Sequence, residues 1–289
     1  MEIREQQKSE RIKADLKETC IVLGGFLCAL LLTRVQIRST HLPLALGLLL
    51  GCTLAGFEVY GVLGGIVLGS IVCAPISWHT VCASILFVAA VRIAQRMKKT
   101  CSFRVLLLLF AVSGSAAIPL AAIYGAIELL YASIALAIAI GYGYCVYRAL
   151  RALDAAREGR VLTDGEQASV VFAIGAFLAA MHEMQLFGWS ASVSLILTLS
   201  ALCVTVRGDY GITAATVWSS MLVLCTDADP ILIGSVSLGA LIAAFWKTGG
   251  KPMKIGSFAA GALLFFTILS EAALSSICRI CFAVCCCIC

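Results

Sequence analysis

The sequence predicts an all-α fold, that of a polytopic helical membrane protein with about 10 to 12 transmembrane helices and short loops. Apolar runs follow one another along the chain, and the connectors between them hold few polar residues, as at Arg207-Gly208-Asp209. Of the 289 residues, 61% are hydrophobic and 13% are charged, whereas roughly a quarter of the residues of a soluble domain are charged. Because a soluble surface needs frequent polar positions, we expect lipid to surround most of these segments.

Changes in hydropathy and charge divide the chain into five predicted regions. They are a charged cytoplasmic tail at 1–18, a first transmembrane bundle of about six spans at 19–147, a charged cytoplasmic connector at 148–166, a second bundle of about five spans at 167–270, and a Cys-rich terminal segment at 271–289, a truncated span in one interpretation. The tail is too long and too acidic for the start of a signal peptide, so we expect the first span to be retained.

Eleven apolar segments are the predicted spans. They cover residues 20–35, 42–56, 61–74, 81–91, 105–123, 124 or 126–146, 168–187, 191–206, 211–224, 231–246 and 255–269. Several fall short of the roughly 20 residues that cross a 30 Å hydrocarbon core. Flanking Ser, Thr, Tyr and Trp residues are expected to complete some of these helices, or two adjacent short runs form half-helices. Within the connector, charges at intervals of three and four residues predict a helix that continues out of the membrane.

Clusters of positive charge predict the orientation of the spans. With a cytoplasmic N-terminus, the even-numbered exits carry most of these clusters, as the positive-inside rule requires. The residues that determine this topology are Arg92, Arg96, Lys98, Lys99, Arg148, Arg151, Lys247 and Lys251. Arg34 and Arg38 fall on the outer side, where we expect them to reach lipid phosphates. The predicted location is therefore the bacterial inner membrane, crossed many times.

Two kinds of residue inside the spans suggest specific contacts. Gly61, Gly65 and Gly69 recur at helical spacing in the third span, a pattern that lets another helix approach closely. Glu128 lies in the sixth span between Tyr124 and Tyr131. A carboxylate in lipid is costly, so Glu128 is either a proton or cation site or an interfacial group bonded to a tyrosine or to water.

No catalytic set, cofactor site or metal site is predicted. The three histidines, His41, His79 and His182, have no metal-binding spacing. The basic residues lie in short loops without interleaved aromatics, so nucleic acid is not an expected partner. Most of the 15 cysteines are single residues within apolar runs, where thiols are usually buried and inert.

The Cys-rich terminal segment at 271–289 has several interpretations. Cys278-Arg279-Ile280-Cys281 has the spacing of a metal or redox pair, but a lone pair of this kind is a weak signal. Palmitoylation, a truncated twelfth span and a frame-shifted, prematurely ended tail are the alternatives.

Three short motifs carry a resemblance to a known family. Leu42-Pro43-Leu44-Ala45-Leu46 opens the second span, Ile127-Glu128-Leu129 lies in the sixth, and Ser270-Glu271-Ala272 precedes the final segment. With the charged tail, the connector into Glu166 and the Gly/Ala/Ser-rich spans, they resemble the N-terminal membrane region of stage II sporulation protein E, the septal serine phosphatase of endospore-forming Firmicutes.

The resemblance implies a non-enzymatic membrane domain that anchors, localises and oligomerises a sporulation protein at the division septum. Its implied partners are the lipid bilayer, further copies of the chain, and division or sporulation membrane proteins. No phosphatase domain is present in this chain, so we do not carry the family's enzyme activity over. The alternative is a secondary transporter or a membrane substrate-binding transport subunit, which would require a polar cavity at the bilayer midplane.

Overall fold

The all-α prediction is confirmed. The computed structural model describes residues 19–37, 40–41, 43–72, 78–97, 102–119, 126–182, 184–186, 189–226, 228–246 and 249–269. These residues contain helices α1 (Thr19–Leu32), α2 (Leu44–Ala55), α3 (Tyr60–Val72), α4 (Trp78–Arg96), α5 (Phe103–Ala117), α6 (Ala126–Arg157), α7 (Asp164–Ala180), α8 (Ala191–Val206), α9 (Gly208–Cys225), α10 (Ile231–Phe245) and α11 (Lys251–Leu269). The helix predicted in the connector is also present, because α6 continues without a break to Arg157.

Four short strands accompany the helices. Strands β1 (Gln36–Ile37) and β2 (Thr40–His41) have two residues each, and β3 (Gln185–Leu186) and β4 (Trp189–Ser190) form an antiparallel pair. The seventh predicted span extended to residue 187, which is wrong, because α7 ends at Ala180 and the chain then turns through β3 and β4. Apolar residues recur among His182, Glu183 and Gln185 past the helix, so hydropathy alone does not mark its end.

Helix length identifies two candidate membrane spans in the described residues. They are Trp78–Arg96 and Leu129–Arg157, the latter within α6. Six further apolar helices have 17 residues or fewer: α1, α2, α3, α5, α8 and α10. At 1.5 Å per residue, the 12 residues of α2 extend about 18 Å, against a hydrocarbon core of about 30 Å. These shorter helices would need flanking residues to complete a crossing.

The chain divides into two compact units, and the division falls between Val170 and Val171, within α7. Strand β1 belongs with the second unit. In the first unit, α2 runs parallel to α6 at close range. A Cβ atom on Gly47 would lie 2.7 Å from the carbonyl oxygen of Ala139, and one on Gly51 would lie 2.8 Å from that of Gly143. Glycine is therefore what allows the two backbones to approach each other.

The predicted glycine face of α3 lies against α1 of the same chain. Gly61 packs against Val22, and Gly69 packs against Thr33. A Cβ on Gly65, between them, would lie 2.8 Å from the Cβ of Ala29. The two helices therefore run parallel, with the glycines of one beneath the backbone of the other.

Aromatic rings link the remaining helices of the first unit. Phe87 of α4 and Phe110 of α5 meet edge to face, with ring centroids 5.1 Å apart. Phe103, the first residue of α5, lies beside Tyr147 in the second half of α6, with centroids 5.8 Å apart. Because Gly114 of α5 faces Leu136 of α6, these two helices run antiparallel.

The second unit is built around α8 to α11. Its core contains fully buried Ile196, Leu222 and Val236. Helices α10 and α11 run antiparallel, and a Cβ on Gly239 of α10 would lie 2.7 Å from the carbonyl oxygen of Phe258. Small residues again set the separation between helices.

The part of α7 from Val171 onward is attached to this core by two hydrogen bonds. The indole N–H of Trp218, a buried residue of α9, donates to the carbonyl oxygen of Val171 at 2.8 Å. The hydroxyl of Ser192, in the first turn of α8, donates to the carbonyl oxygen of Leu178. Both bonds use side chains to anchor α7 to its neighbours.

Candidate functional site: the arginine-lined cavity at the end of helix α6

The C-terminal turns of α6 and the start of α7 enclose an open cavity of about 1070 Å³. Its charged lining consists of four arginines and three carboxylates: Arg148, Arg151, Arg157, Arg160, Asp154, Glu158 and Glu166. Tyr144 and Tyr147 lie at one end of this lining. The cavity belongs entirely to the first unit, in the region that the sequence predicts to be the charged cytoplasmic connector.

Two tyrosine rings line the end of the cavity nearest the apolar part of α6, and the ring of Phe103 packs against both. The ring centroid of Phe103 lies 6.1 Å from that of Tyr144 and 5.8 Å from that of Tyr147. The two tyrosine centroids are 6.4 Å apart. Contacts of this kind hold the rings in place, so they provide a fixed base for the side chains above them.

A guanidinium group lies near the ring of each tyrosine. The guanidinium carbon of Arg148 lies 5.9 Å from the ring centroid of Tyr144, and that of Arg151 lies 5.7 Å from the ring centroid of Tyr147. The four residues occur at positions i, i+3, i+4 and i+7, which share one face of a helix. Cation–π contact orients a guanidinium while leaving its N–H groups free to donate.

Gly165 fixes the position of Arg148 from the other side. A Cβ on this glycine would lie 2.9 Å from both terminal nitrogens of Arg148. The guanidinium therefore lies between the ring of Tyr144 and the first turn of α7. Any side chain larger than hydrogen at Gly165 would displace it.

A tight turn brings α7 back to the end of α6. Gly159 has a φ of 80°, and the backbone N–H of Arg160 donates to the carbonyl oxygen of Ala155 at 3.0 Å. Glycine readily adopts this left-handed conformation, which ends a helix and satisfies its last carbonyl groups.

A capping box then starts α7. Thr163 donates to the carboxylate of Glu166 through its backbone N–H at 2.8 Å and through its hydroxyl at 2.9 Å. The spacing Thr-x-x-Glu is a sequence signature of a helix start. These bonds, with a smaller contribution from Arg160, lower the pKa of the Glu166 carboxyl. The carboxylate is therefore ionised at neutral pH.

The charges are unevenly distributed along the cavity. Arg160 forms an ion pair with Glu166. In the part of the chain that the structure describes, Arg148 and Arg151 form no ion pair with a carboxylate. Of the other two carboxylates of the lining, Asp154 follows Arg151 by one turn of α6 and Glu158 lies just after the end of this helix. The cavity is thus cationic where it meets the tyrosines and closer to neutral beyond them.

Arg92 makes the second basic contact of the first unit. Its guanidinium lies 3.5 Å from the carboxylate of Glu58 and 4.6 Å from the centre of the Tyr60 ring. This cluster joins the turn between α2 and α3 to the C-terminal end of α4. The ion pair is largely exposed, so its contribution to stability is small, about 0–1 kcal/mol.

The other predicted topology residues make no such cluster in the described part of the chain. Arg96 is exposed at the last residue of α4, and Lys251 is exposed at the first residue of α11. Lys98, Lys99 and Lys247 lie outside the described residues.

Glu128 lies in the first turn of α6, and its side chain is not among those described. His41 lies in β2, His79 in the first turn of α4, and His182 follows the end of α7. Within the described ranges, no three His, Cys, Asp or Glu side chains come together as a metal site. The Cys278–Cys281 pair lies outside those ranges.

Sequence reasoning identified Arg148 and Arg151 as topology residues but missed the tyrosines beneath them. The signal was available, because Tyr144 and Tyr147 each precede an arginine by four residues. The contribution of Phe103 comes from another helix and has no local signal. No protein family, curated protein sequence or solved structure matches this chain.

Proposed function

We propose that the chain is a multi-pass integral membrane domain with a cytoplasmic N-terminus, and that it acts as a non-enzymatic anchor that self-associates in the bacterial inner membrane. The observation that carries this proposal is the change in surface along one face of α6. The face is apolar over the first half of the helix and charged from Arg148 onward, with the arginines nearest the apolar half.

The apolar part of this face is exposed. Leu130 and Ile134 have 61% and 50% of their surface exposed, and Ala137 and Gly141 follow on the same face. A continuous apolar stripe of this kind is unfavourable in water and is expected where lipid covers a helix. Leu108 and Val112 form a similar stripe on α5, with 62% and 58% exposed.

The boundary between lipid and water is proposed at Tyr144. Aromatic residues with polar tips concentrate at membrane interfaces, and basic residues follow on the cytoplasmic side. From Ala126 to Tyr144 the helix rises about 27 Å, close to the thickness of the hydrocarbon core. Beyond this tyrosine we place the chain in water, because its exposed positions include the charged residues Arg151, Asp154 and Glu158.

Contacts between helix ends support alternating crossings in the first unit. The Glu58–Arg92 pair brings the end of α2 beside the end of α4, and the Phe103–Tyr147 contact brings the start of α5 beside the basic end of α6. All of these ends are cytoplasmic in the predicted topology. The parallel pairs α1 with α3 and α2 with α6 fit the same alternation.

The buried polar side chains favour a packing role over transport. In the described residues, aromatic side chains apart, the buried polar side chains are serines and threonines. Those of Ser84, Ser219 and Ser235 donate to carbonyl oxygens of their own helices. A transporter is expected to place ionisable or unpaired polar groups along a substrate path. In the described residues the buried polar side-chain atoms without a partner are Ser190 Oγ, Ser200 Oγ and His182 Nδ1, and the buried polar residues include no charged side chain, which supports an anchor.

The proposal is tested in two steps with the full chain. The first is alkaline carbonate extraction of membranes, in which we expect the protein to stay in the pellet; release into the supernatant would refute membrane integration. The second is a fluorescent fusion in sporulating cells, since the resemblance to stage II sporulation protein E leads us to propose the division septum as its location. A uniform signal around the cell would contradict the anchoring role while leaving membrane integration intact.

A further inference from the structure

We propose that Arg148 and Arg151 bind the phosphate of an anionic phospholipid, such as phosphatidylglycerol, from the cytoplasmic leaflet. This inference rests on the proposed membrane location. It goes beyond it by assigning a ligand to the membrane end of the arginine-lined cavity.

The two guanidinium groups have the properties of a phosphate site. Arginine presents planar N–H donors that match phosphate oxygens, and both groups are already oriented by the rings of Tyr144 and Tyr147. Neither forms an ion pair within the described part of the chain. Their donors are therefore available to an anion.

The neighbouring charges determine where that anion sits. Asp154 and Glu158 line the outer part of the cavity and repel a phosphate placed there. Glu166 is held by Thr163 and Arg160, so Arg160 is already neutralised. The most cationic part of the lining, at Arg148 and Arg151, lies next to Tyr144 at the proposed edge of the lipid, and the acidic first turn of α7 borders Arg148 on the side of Gly165.

The surface below the tyrosines suits an acyl chain. Gly141 lies one turn before Tyr144 on the exposed face, and a Cβ there would have no atom within 4 Å. Ile134 lies about 15 Å from Tyr144 along the helix and is half exposed. A phosphate at Arg148 can thus be joined to a hydrocarbon chain that covers this stripe. Free phosphate would make only the first of these contacts.

The test uses the full chain purified in a neutral detergent and native mass spectrometry with two probes, phosphatidylglycerol and phosphatidylcholine. We expect tighter binding of phosphatidylglycerol. In the variant R148Q/R151Q, the ratio of phosphatidylglycerol affinity to phosphatidylcholine affinity should fall about 30-fold. This fall corresponds to about 1 kcal/mol of binding free energy for each arginine. The control R96Q/R207Q removes two exposed arginines from other predicted cytoplasmic ends and should bind as the wild type does.

Three results would overturn the inference: undiminished phosphatidylglycerol binding by R148Q/R151Q, an equal loss in the control, or displacement of the lipid by millimolar inorganic phosphate. Circular dichroism checks that each variant is folded. If R148Q/R151Q does not fold, the variant R148K/R151K replaces it, because lysine keeps the positive charge but lacks the planar donors. This variant should still weaken phosphatidylglycerol binding severalfold. Unchanged binding counts against the site. Carbonate extraction of the same proteins separates the two proposals, because a membrane-integrated chain without lipid preference refutes only this one.

Discussion

Replacing Gly47 by alanine should destabilise the first unit by separating α2 from α6. The added methyl carbon would lie 2.7 Å from the carbonyl oxygen of Ala139 and 2.8 Å from Cδ1 of Tyr142. A carbon–oxygen contact normally needs about 3.3 Å or more, so α2 must move by about 0.6 Å. The obstacle is backbone, which a rotamer change cannot remove.

The magnitude follows from the contacts that such a shift weakens. A gap of about 0.5–1 Å forfeits a quarter to a half of the dispersion energy of each contact, and overpacking typically costs about 1–3 kcal/mol. We expect Gly47→Ala to lower the free energy of unfolding by this amount. Adding Gly51→Ala to Gly47→Ala should lower the free energy of unfolding by less than Gly51→Ala does alone, because one shift of α2 accommodates both methyl groups.

The assay is SDS-induced unfolding in mixed micelles, followed by circular dichroism. The matched control is Gly141→Ala, which places the same methyl group on the exposed face of α6 where no atom lies within 4 Å. Alanine is the better helix former, so this control should be neutral or more stable by up to about 1 kcal/mol. Equal stability of Gly47→Ala and Gly141→Ala would refute the packing argument.

Three further substitutions test separate contacts. Gly65→Ala should lower the thermal midpoint in detergent by meeting the α1 backbone, whereas Gly64→Ala meets only the Phe26 ring at 3.5 Å and should not; equal midpoints would contradict this. Trp218→Phe removes a buried N–H donor and should cost about 1–2 kcal/mol of unfolding free energy, so an unchanged value counts against it. Glu166→Gln should speed hydrogen exchange in the first turn of α7 at pH 7. The pKa of Glu166 is lowered in the folded state, so the ionised carboxylate stabilises the turn fully above its unfolded pKa of about 4.3. The difference in exchange rate between wild type and variant should vanish as pH falls through the folded pKa. A difference that does not change with pH would contradict the assignment of this effect to the carboxylate.

The positions of the helices follow from the apolar runs, because a segment expected to lie in lipid must satisfy its backbone groups internally. Their ends are less well predicted, since apolar residues recur among polar ones beyond Ala180. The continuation of α6 after Tyr147 is the exception, because the charges there are spaced by three and four residues. The capping box at Thr163 and Glu166 is a local signal and is readable from the sequence alone.

The choice of helix partners has no comparable local signal. The spacing of Gly61, Gly65 and Gly69 indicates a close helix contact, but not that α1 makes it. The contact of Gly47 and Gly51 with α6 joins segments that are distant in the sequence. The cavity likewise depends on Gly159 turning the chain back, which brings the start of α7 to arginines that the sequence places on one exposed face.

Thiol labelling on the two sides of the membrane tests the central claim most directly. In a chain whose native cysteines are replaced, Glu158→Cys and Ile134→Cys each place one thiol at a position that is exposed in the structure. A membrane-impermeant maleimide should label Glu158→Cys in inside-out vesicles but not in intact spheroplasts, and it should label Ile134→Cys in neither. Labelling of Ile134→Cys, or of Glu158→Cys from the outside, would contradict a lipid-covered α6 with a cytoplasmic basic end.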